Sequence, residues 1–490
     1  MLICEGGLFL EHEDLVEYAV EMGEKLGADY VEARLQKTLS NVFLLKNGVP
    51  EVSGIESSFG IGIRVLVDGG MSFTSLNRFS KELVKEKVEE AVKMAKTSSK
   101  TRKKPIVLSE EKTIMGSWRT IFKQNPLDIS PEEKLEALLD VDKSILETGK
   151  RLKAMVPGRL IQLSDTYTYK YYVNSEGTKV RGEIVGVSGF AVITVVEPSS
   201  GGFEQQYMDV GATKGFEVLE EWNLPKKCAE LTEILVKILR EAKKPVAEEM
   251  DIVLGPQIVG IACHESVGHP YEADRILGRE AAQAGESFVK KEMLGQKIGS
   301  EIVNVVDDPT IPYSYGYYRY DDEGVPARKR YLIKNGVINE FLHNRETAGE
   351  FGVQSNAAAR AIGYNREPIV RMANTYLEPG DYSFEELIED IKLGIYMKTF
   401  GEWNIDDRRF NQRYIGKEAY LIEKGEIKHL VKNPILEITT PAFWSSIDAI
   451  GKAELMEFEA AICGKGDPDQ GAPVWHGGPP ARLRKIRLGG

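Results

Sequence analysis

Apolar residues recur along this chain with two spacings, one typical of helices and the other typical of strands. Near the start, Leu15, Ala19 and Met22 share one helical stripe, and Gly27 is placed to end that helix. In the first half the pattern predicts helices over 14–26, 81–96, 131–148, 212–222 and 226–243.

Extended runs separated by glycine-containing turns predict the strands of the first half. Asn47-Gly48 is a strong hairpin signal, and Ser175-Glu176-Gly177 separates two further long runs. We expect residues 100–130 to form an exposed connection. The predicted strands lie over 42–46, 60–67, 71–75, 160–174 and 179–197.

The second half begins with a predicted strand over 251–254, after which Gly255-Pro256 is suited to start a helix over 257–268. The remaining predicted elements are hairpins around Asn335-Gly336 and Lys424-Gly425, a short helix over 384–395 and a terminal strand over 482–488.

The best candidate for a domain boundary is Ala242-Lys243-Lys244-Pro245, a polar segment that follows a helix. We therefore expect an α+β fold of two domains, 1–244 and 245–490, built from mixed or antiparallel sheets with flanking helices. The active site is expected in the C-terminal domain.

Composition limits the partners and the location of the protein. A chain of 490 residues is too long for one small core, and no run of about 18 apolar residues predicts a membrane span. The net charge of −12 disfavours nucleic acid as a partner. Met1–Gly7 lacks the features of a signal peptide, and the four cysteines show no paired spacing. These features predict a cytoplasmic protein.

The stretch His264–His269 has the pattern His-Glu-x-x-x-His and contains two of the six histidines in the chain. Two imidazoles that hold a metal, with a glutamate between them that takes a proton from water, form the site of a zinc peptidase. On a regular helix, however, residues five apart lie about 140° apart and cannot face one ion. We therefore expect either a one-residue bulge or an unwound turn, and Gly268 and Pro270 favour a break before His269.

Several stretches resemble the TldD/PmbA family, on the TldD side, which has the metal motif. They are Asn174–Gly177, His264–His269, Asp321–Gly324, Arg371–Asn374, Leu377–Asp381, Tyr420–Glu423, Cys463–Gly466, Pro473-Val474 and the terminal Gly489-Gly490. The segment Phe400–Arg409 departs from the glycine-rich pattern that precedes a phenylalanine in the family.

The resemblance implies a cytoplasmic zinc metallopeptidase that cleaves short or unfolded peptides. It also implies a dimer around an enclosed cavity, in which the partner is an identical chain or a family paralogue. A third metal ligand late in the chain is implied as well, and it falls on Cys463.

Two histidines and a thiolate match the three protein ligands of a catalytic zinc, which leaves one position for water. Glu265 is then expected to be the general base. Glu272 and Asp274 follow the second histidine closely, and either could accept the free N–H of a ligand imidazole.

Other candidate residues are expected to be structural. Asp321–Glu323 lacks the pattern of a calcium loop, so its side chains are predicted to be structural or to face the substrate. Cys263 is predicted to lie in the core. His343 and His476 are the other candidates for transition-state donors, and surface or packed roles are favoured for both.

Two other functions remain open from the sequence. A serine hydrolase could use Ser266, whose stretch His264–Gly268 follows a strand and precedes more helix, but the first glycine of Gly-x-Ser-x-Gly is missing. A non-catalytic regulatory subunit is the other alternative, since some family members lack the metal motif that is complete here.

Overall fold

The computed structural model describes residues 12–245, 249–280 and 285–488. Three features of the sequence lie outside these residues: the segment Met1–Gly7 and the prediction made from it, Cys4, and the family match at Gly489-Gly490.

Ten helices and 24 strands are assigned within the described residues. The helices are α1 (Glu13–Lys25), α2 (Lys81–Thr101), α3 (Pro131–Arg151), α4 (Val218–Trp222), α5 (Leu224–Glu241), α6 (Pro256–Cys263), α7 (Ala273–Ile276), α8 (Arg345–Phe351), α9 (Phe384–Ile388) and α10 (Thr440–Ser446).

Strands of the first half are β1 (Tyr30–Lys46), β2 (Val49–Val67), β3 (Gly70–Leu76), β4 (Met115–Arg119), β5 (Met155–Asn174), β6 (Lys179–Val196) and β7 (Phe203–Ala212). Strands of the second half are β8 (Glu249–Leu254), β9 (Val305–Asp307), β10 (Arg330–Lys334), β11 (Val337–Ile338), β12 (Ala359–Arg360), β13 (Ile369–Val370), β14 (Asn374–Leu377), β15 (Leu393–Met397), β16 (Phe400–Ile405), β17 (Asn411–Gly416), β18 (Ala419–Glu423), β19 (Glu426–Leu430), β20 (Ile435–Thr439), β21 (Ile447–Ile450), β22 (Glu457–Cys463), β23 (Ala472–Gly478) and β24 (Ala481–Arg487).

The first half forms one seven-stranded sheet in the order β3-β2-β1-β5-β6-β4, with β7 also paired to β6. Odd-numbered side chains of β1, β2 and β5 form its apolar face, which α1 and α2 cover at one end of the strands and α3 and α5 cover at the other. Ser80 caps α2, and Ser130 and Glu133 form a capping box on α3. Because buried apolar side chains alternate with other side chains along the long strands, the helices pack on one face of this sheet.

The second half contains two six-stranded sheets, in the orders β11-β10-β9-β14-β23-β22 and β19-β18-β15-β8-β24-β21. A three-stranded sheet has the order β16-β17-β20, and β12 pairs with β13. Helix α6 follows β8 directly and packs against β14, β22 and β23. Side chains from these sheets and from α6 form one hydrophobic core.

The even-numbered face of the first sheet meets the second half. Trp475 donates its indole N–H to the carbonyl oxygen of Gly211 at 2.7 Å, and Gln206 donates to the carbonyl oxygen of Phe400 at 2.6 Å. A cavity of about 320 Å³ lies between the two halves. Its lining residues include Arg34, Lys170, Trp118, Tyr320, Asp322 and Arg360.

The α+β fold class with mixed sheets and flanking helices is confirmed. The predicted hairpins also form, with Asn47, Asn335 and Lys424 in the left-handed conformation that their turns require. The division into domains 1–244 and 245–490 stays a prediction.

Three local predictions are wrong because pairing between distant segments decided the outcome. Residues 100–130 are not only an exposed connection, since β4 pairs in parallel with β6 and Ser109 and Thr120 are buried. The helix predicted over 212–222 is confined to Val218–Trp222, because the chain up to Ala212 forms β7, which pairs with residues 187–196 of β6. The helix predicted over 384–395 ends at Ile388, and residues from Leu393 form β15 because they pair with β8.

Candidate metal centre

The candidate site begins where α6 changes its helical geometry. Pro256 occupies the first turn of α6, and residues from His264 onward leave the regular α-helix. His264–Gly268 forms a π-helical turn in which the backbone N–H of His269 donates to the carbonyl oxygen of His264, five residues earlier. A short 3₁₀ turn, His269–Tyr271, follows.

The π turn lets residues five apart lie above each other, so both imidazoles point into one site. Their ring centroids are 4.9 Å apart and the planes are inclined at 81°. The expected departure from regular geometry is therefore confirmed, but the favoured break before His269 is wrong. Pro270 fits the second position of the 3₁₀ turn, and Gly268 is required for space, because a Cβ there would overlap Sδ of Met372.

Cys463 reaches the same point from the last residue of β22. Its Sγ lies 3.3 Å from Nε2 of His264 and 3.4 Å from Nε2 of His269. The three side chains are buried, and their ligand atoms all lie within 4.8 Å of one another.

This donor set fits zinc. Tetrahedral zinc, with bonds of about 2.0–2.1 Å to nitrogen and about 2.3 Å to sulfur, places nitrogen and sulfur ligands roughly 3.5 Å apart. The two N–S distances of 3.3 and 3.4 Å are close to that value. Three protein donors also leave one coordination position for water, as in catalytic zinc sites.

The protonation of the donors favours metal binding. Burial lowers the pKa of His264, and burial lowers that of His269 to about 4, so both imidazoles are neutral at physiological pH. Burial alone would raise the pKa of the Cys463 thiol, but the adjacent His269 and Arg371 lower it below its ordinary value. Neutral imidazole and thiolate are the forms that ligate zinc.

A carboxylate holds the imidazole of His269 from its other side. Glu272 accepts from Nδ1 of His269 at 3.0 Å and also from Nε of Arg275 at 2.7 Å. Burial would raise the pKa of Glu272, but Lys465, His269 and Arg275 hold it well below its usual range. The role expected of Glu272 is consistent with this geometry, and it leaves Nε2 of His269 directed at the metal position.

Asp274 does not contact a ligand imidazole. Both of its carboxylate oxygens accept from Nζ of Lys465 at 2.8 Å, and Lys465 also donates to the carbonyl oxygen of Val370 at 2.7 Å. Lys465 lies two residues after Cys463 and is buried. Asp274 therefore anchors the segment that carries the third donor.

Glu265 is buried, and its carboxylate accepts a hydrogen bond from Nη1 of Arg409. Arg409 lies in the turn between β16 and β17, where Asp406 accepts from the backbone N–H groups of Phe410 and Asn411 at 2.8 and 3.0 Å. The left-handed φ of 65° at Arg409 is part of the same turn. The sequence did not reveal this partner, because Arg409 lies 144 residues from Glu265. One signal was present: Arg409 ends the segment Phe400–Arg409, which departs from the family pattern.

Ser266 is not placed to act as a nucleophile. Its hydroxyl donates to the carbonyl oxygen of Ala262 at 2.7 Å and accepts from the indole N–H of Trp444 at 3.1 Å. The side chain is fully buried. These contacts argue against the serine hydrolase alternative, which needs an exposed hydroxyl beside a base.

The other candidates are packed, as expected. Cys263 lies in the main core, and Asp321 accepts from three backbone N–H groups at 2.9–3.1 Å, two in its own loop and one in β12. His343 contacts Thr347 and the ring of Phe351. His476 is also buried, and its ring lies 5.7 Å from that of His264.

No helix in residues 12–245, 249–280 and 285–488 combines the length and the apolar character needed to cross a membrane.

Comparisons with known families match three segments of the chain. Residues 31–95 match PmbA/TldA metallopeptidase domain 1, and residues 124–244 match the central domain of that family. Residues 247–490 match its C-terminal domain, which includes His264, His269 and Cys463.

Individual proteins are similar over almost the whole chain. A metalloprotease of Methanocaldococcus jannaschii is 34% identical over 465 residues, which cover 94% of this chain and 96% of that protein. A protein of Saccharolobus solfataricus named zinc metalloprotease TldD homolog is 26% identical over 96% of this chain and 99% of its own length. The crystal structure of TldE from Thermococcus kodakarensis has the same fold, with a TM-score of 0.73 at 21% identity, covering 97% of this chain and all of that one.

Proposed function

This chain belongs to the PmbA/TldA metallopeptidase family, and from that premise we propose that it is a zinc-dependent peptidase that cleaves short or unfolded peptides. The observation that carries the proposal is the meeting of His264, His269 and Cys463 beside the buried carboxylate of Glu265. The Saccharolobus relative whose name contains zinc supports the choice of metal.

His264 and His269 would hold zinc through Nε2, and Cys463 through Sγ, because these three atoms face one another. When bound, zinc would supply Lewis acidity, which polarises the peptide carbonyl and lowers the pKa of water. Glu272 keeps the imidazole of His269 oriented for this role.

Glu265 would act as the general base. It would take a proton from the attacking water and then give that proton to the nitrogen of the leaving amine, so that the carboxylate is restored after each turnover. The hydrogen bond from Arg409 fixes the position of this buried carboxylate. A base held in one orientation loses less entropy in the reaction.

The substrate would bind as an extended chain. β22 is the last strand of its sheet, and its final residue is Cys463. A peptide that pairs with a strand edge does so mainly through backbone hydrogen bonds, so such binding depends little on side chains. A strand edge next to the metal donors therefore supports broad specificity for unfolded peptides.

We further propose that the protein works in the cytoplasm as a dimer, with an identical chain or with a family paralogue. The similarity to a solved TldE supports a paralogue of the same fold as a candidate partner. The buried, unpaired thiols of Cys228, Cys263 and Cys463 are compatible with a reducing compartment.

Metal analysis of the purified protein tests the proposal most directly. We expect about one zinc per chain, loss of peptidase activity on chelation and recovery when zinc is returned. A serine-directed phosphonate should have no effect. A protein that binds no zinc and cleaves no peptide would instead support the non-catalytic regulatory subunit.

A further inference from the structure

The imidazole of His476 lies beside the metal centre but has no part in the proposed mechanism. It projects from β23, and its ring centroid is 5.7 Å from that of His264. A Cβ on Gly260, one helical turn before His264, would lie 2.9 Å from Nδ1 of His476. Because residues four apart share one helix face, the glycine gives the ring of His476 space on the face from which His264 projects.

Three buried polar atoms in this region lack a hydrogen-bond partner within the described part of the chain. They are Nδ1 of His264, Nδ1 of His476 and Oε2 of Glu459. Nε2 of His476 lies 3.8 Å from Oε2 of Glu459, whose Oε1 accepts from Gln257 at 2.8 Å. Since buried polar atoms are normally paired, three such atoms on adjacent side chains indicate one hydrogen-bonded series.

We propose that His476, supported by Glu459, is the hydrogen-bond partner of His264 and fixes which of its nitrogens faces the metal. Nδ1–H of His264 donates to Nδ1 of His476, and Nε2–H of His476 donates to Oε2 of Glu459. Nε2 of His264, which is 3.3 Å from Sγ of Cys463, then keeps its lone pair for zinc. This inference rests on the proposed function, because it assigns a positioning role around the zinc that this function requires.

The other ligand imidazole already has a partner of this kind. Nδ1 of His269 is bound by Glu272 at 3.0 Å, and metal-binding histidines usually donate their second N–H to such a group. Glu459 is suited to the outer end of the series, because its Oε2 lies 3.8 Å from Nε2 of His476 and has no hydrogen-bond partner among the described residues. Burial raises the pKa of Glu459 to about 7, and an N–H donor would favour its ionised form.

Zinc affinity of the full chain tests the proposal without relying on activity. His476→Phe keeps a ring of similar size and removes both nitrogens, so the dissociation constant, measured by competition with a chromophoric chelator, should rise about 10–100-fold. Cobalt-substituted protein should keep its thiolate-to-metal absorption, since His264, His269 and Cys463 remain.

Glu459→Gln is the second variant. If the new amide keeps its carbonyl oxygen on Gln257, its NH₂ group faces Nε2 of His476. Nε2 must then accept, so Nδ1 of His476 carries the proton and cannot accept from His264. We expect a smaller loss of zinc affinity, about 10-fold. The matched controls are Glu457→Gln, an exposed position on the same strand, and His343→Phe, a buried histidine with other contacts. Both controls should bind zinc as the unmodified chain does.

The outcomes separate this inference from the function on which it rests. If the unmodified chain binds no zinc, the proposed function fails. If it binds zinc and folded His476→Phe and Glu459→Gln bind equally tightly, only the role of His476 is overturned. If His476→Phe does not fold, Glu459→Gln against Glu457→Gln decides the question.

Discussion

Single atoms decide what the metal centre can do. Both Nε2 atoms face Sγ of Cys463, and the carboxylate of Glu265 lies outside the set of three mutually close donors. We therefore expect His264→Ala, His269→Ala and Cys463→Ala each to lose zinc and activity.

Glu265→Gln is the informative comparison for those three variants. It should keep zinc and lose activity, because an amide cannot serve as the base and the residue is not a ligand. Metal analysis and peptide hydrolysis on the same samples give both results. Full zinc occupancy in Cys463→Ala would show that the third ligand has been assigned wrongly.

Arg409 allows a second prediction at this scale. Because its guanidinium holds Glu265 in place, Arg409→Gln should retain zinc and lower kcat by about 100-fold, the usual effect of a small misplacement of a catalytic group. Arg409→Lys should recover part of that loss. The control is Arg408→Gln, an exposed neighbour with the same change of charge, and an equal loss of kcat in the control would contradict the role of Arg409.

The sequence identifies candidate site residues where they lie close together along the chain. His264, Glu265 and His269 form a recognisable pattern within six residues, whereas Cys463 required the family resemblance. Arg409 and His476 approach the site through tertiary packing, and no local pattern relates either of them to its partner. For single residues, the separation between partners along the chain therefore limits what can be predicted from the sequence.

The π turn between α6 and the 3₁₀ turn is the element on which the site depends. A Cβ on Gly268 would overlap Sδ of Met372, which is itself buried. Gly268→Ala should thus lower the free energy of unfolding by about 1–3 kcal/mol through overpacking. Denaturant unfolding should show partial relief in Gly268→Ala/Met372→Ala, and no comparable loss in Gly54→Ala, where a Cβ meets nothing within 4 Å.

The spacing within the π turn can be tested by deletion. Removing Val267 creates the commoner His-Glu-x-x-His pattern, but the backbone around it is built for a bond from His269 to His264. The deletion should therefore lower zinc binding and activity. Activity equal to that of the unmodified chain would mean that the wide turn has no role in presenting the imidazoles.

Geometry explains why the element could be predicted only in part. The angle between residues five apart requires some departure from an α-helix, and this was foreseeable from the spacing alone. The choice between a bulge and a break depends on Met372 and on the packing around Pro270, which the local sequence does not contain. The same reason accounts for β7 and β15, whose partners are β6 and β8.

At the scale of the whole molecule, side chains of one half are bound by the other. Arg345 donates to the carbonyl oxygen of Ser109, and Arg64 forms a buried ion pair with Glu323, 259 residues away. The predicted boundary at residues 242–245 separates the chain into segments but gives no information on this packing. Fold class could be predicted, and the relation between the halves could not.

Access to the site follows from burial. His264, Glu265, His269 and Cys463 are all buried, so we expect a peptide substrate to enter as a narrow, extended chain. A folded domain would first have to unfold, at a cost of about 5–15 kcal/mol. We therefore expect rapid hydrolysis of short or unfolded peptides and very slow attack on folded proteins.

The measurement compares the rates at which one substrate protein is cleaved in its native form and after irreversible unfolding, at the same concentration. The unfolded form should be cleaved much faster, and Glu265→Gln, tested alongside, should cleave neither form. Because pairing with a strand edge is largely indifferent to side chains, unfolded proteins of different composition should be cleaved at similar rates. Equal rates for the native and unfolded forms would mean that the site lies in an open surface cleft and that no enclosing dimer controls entry.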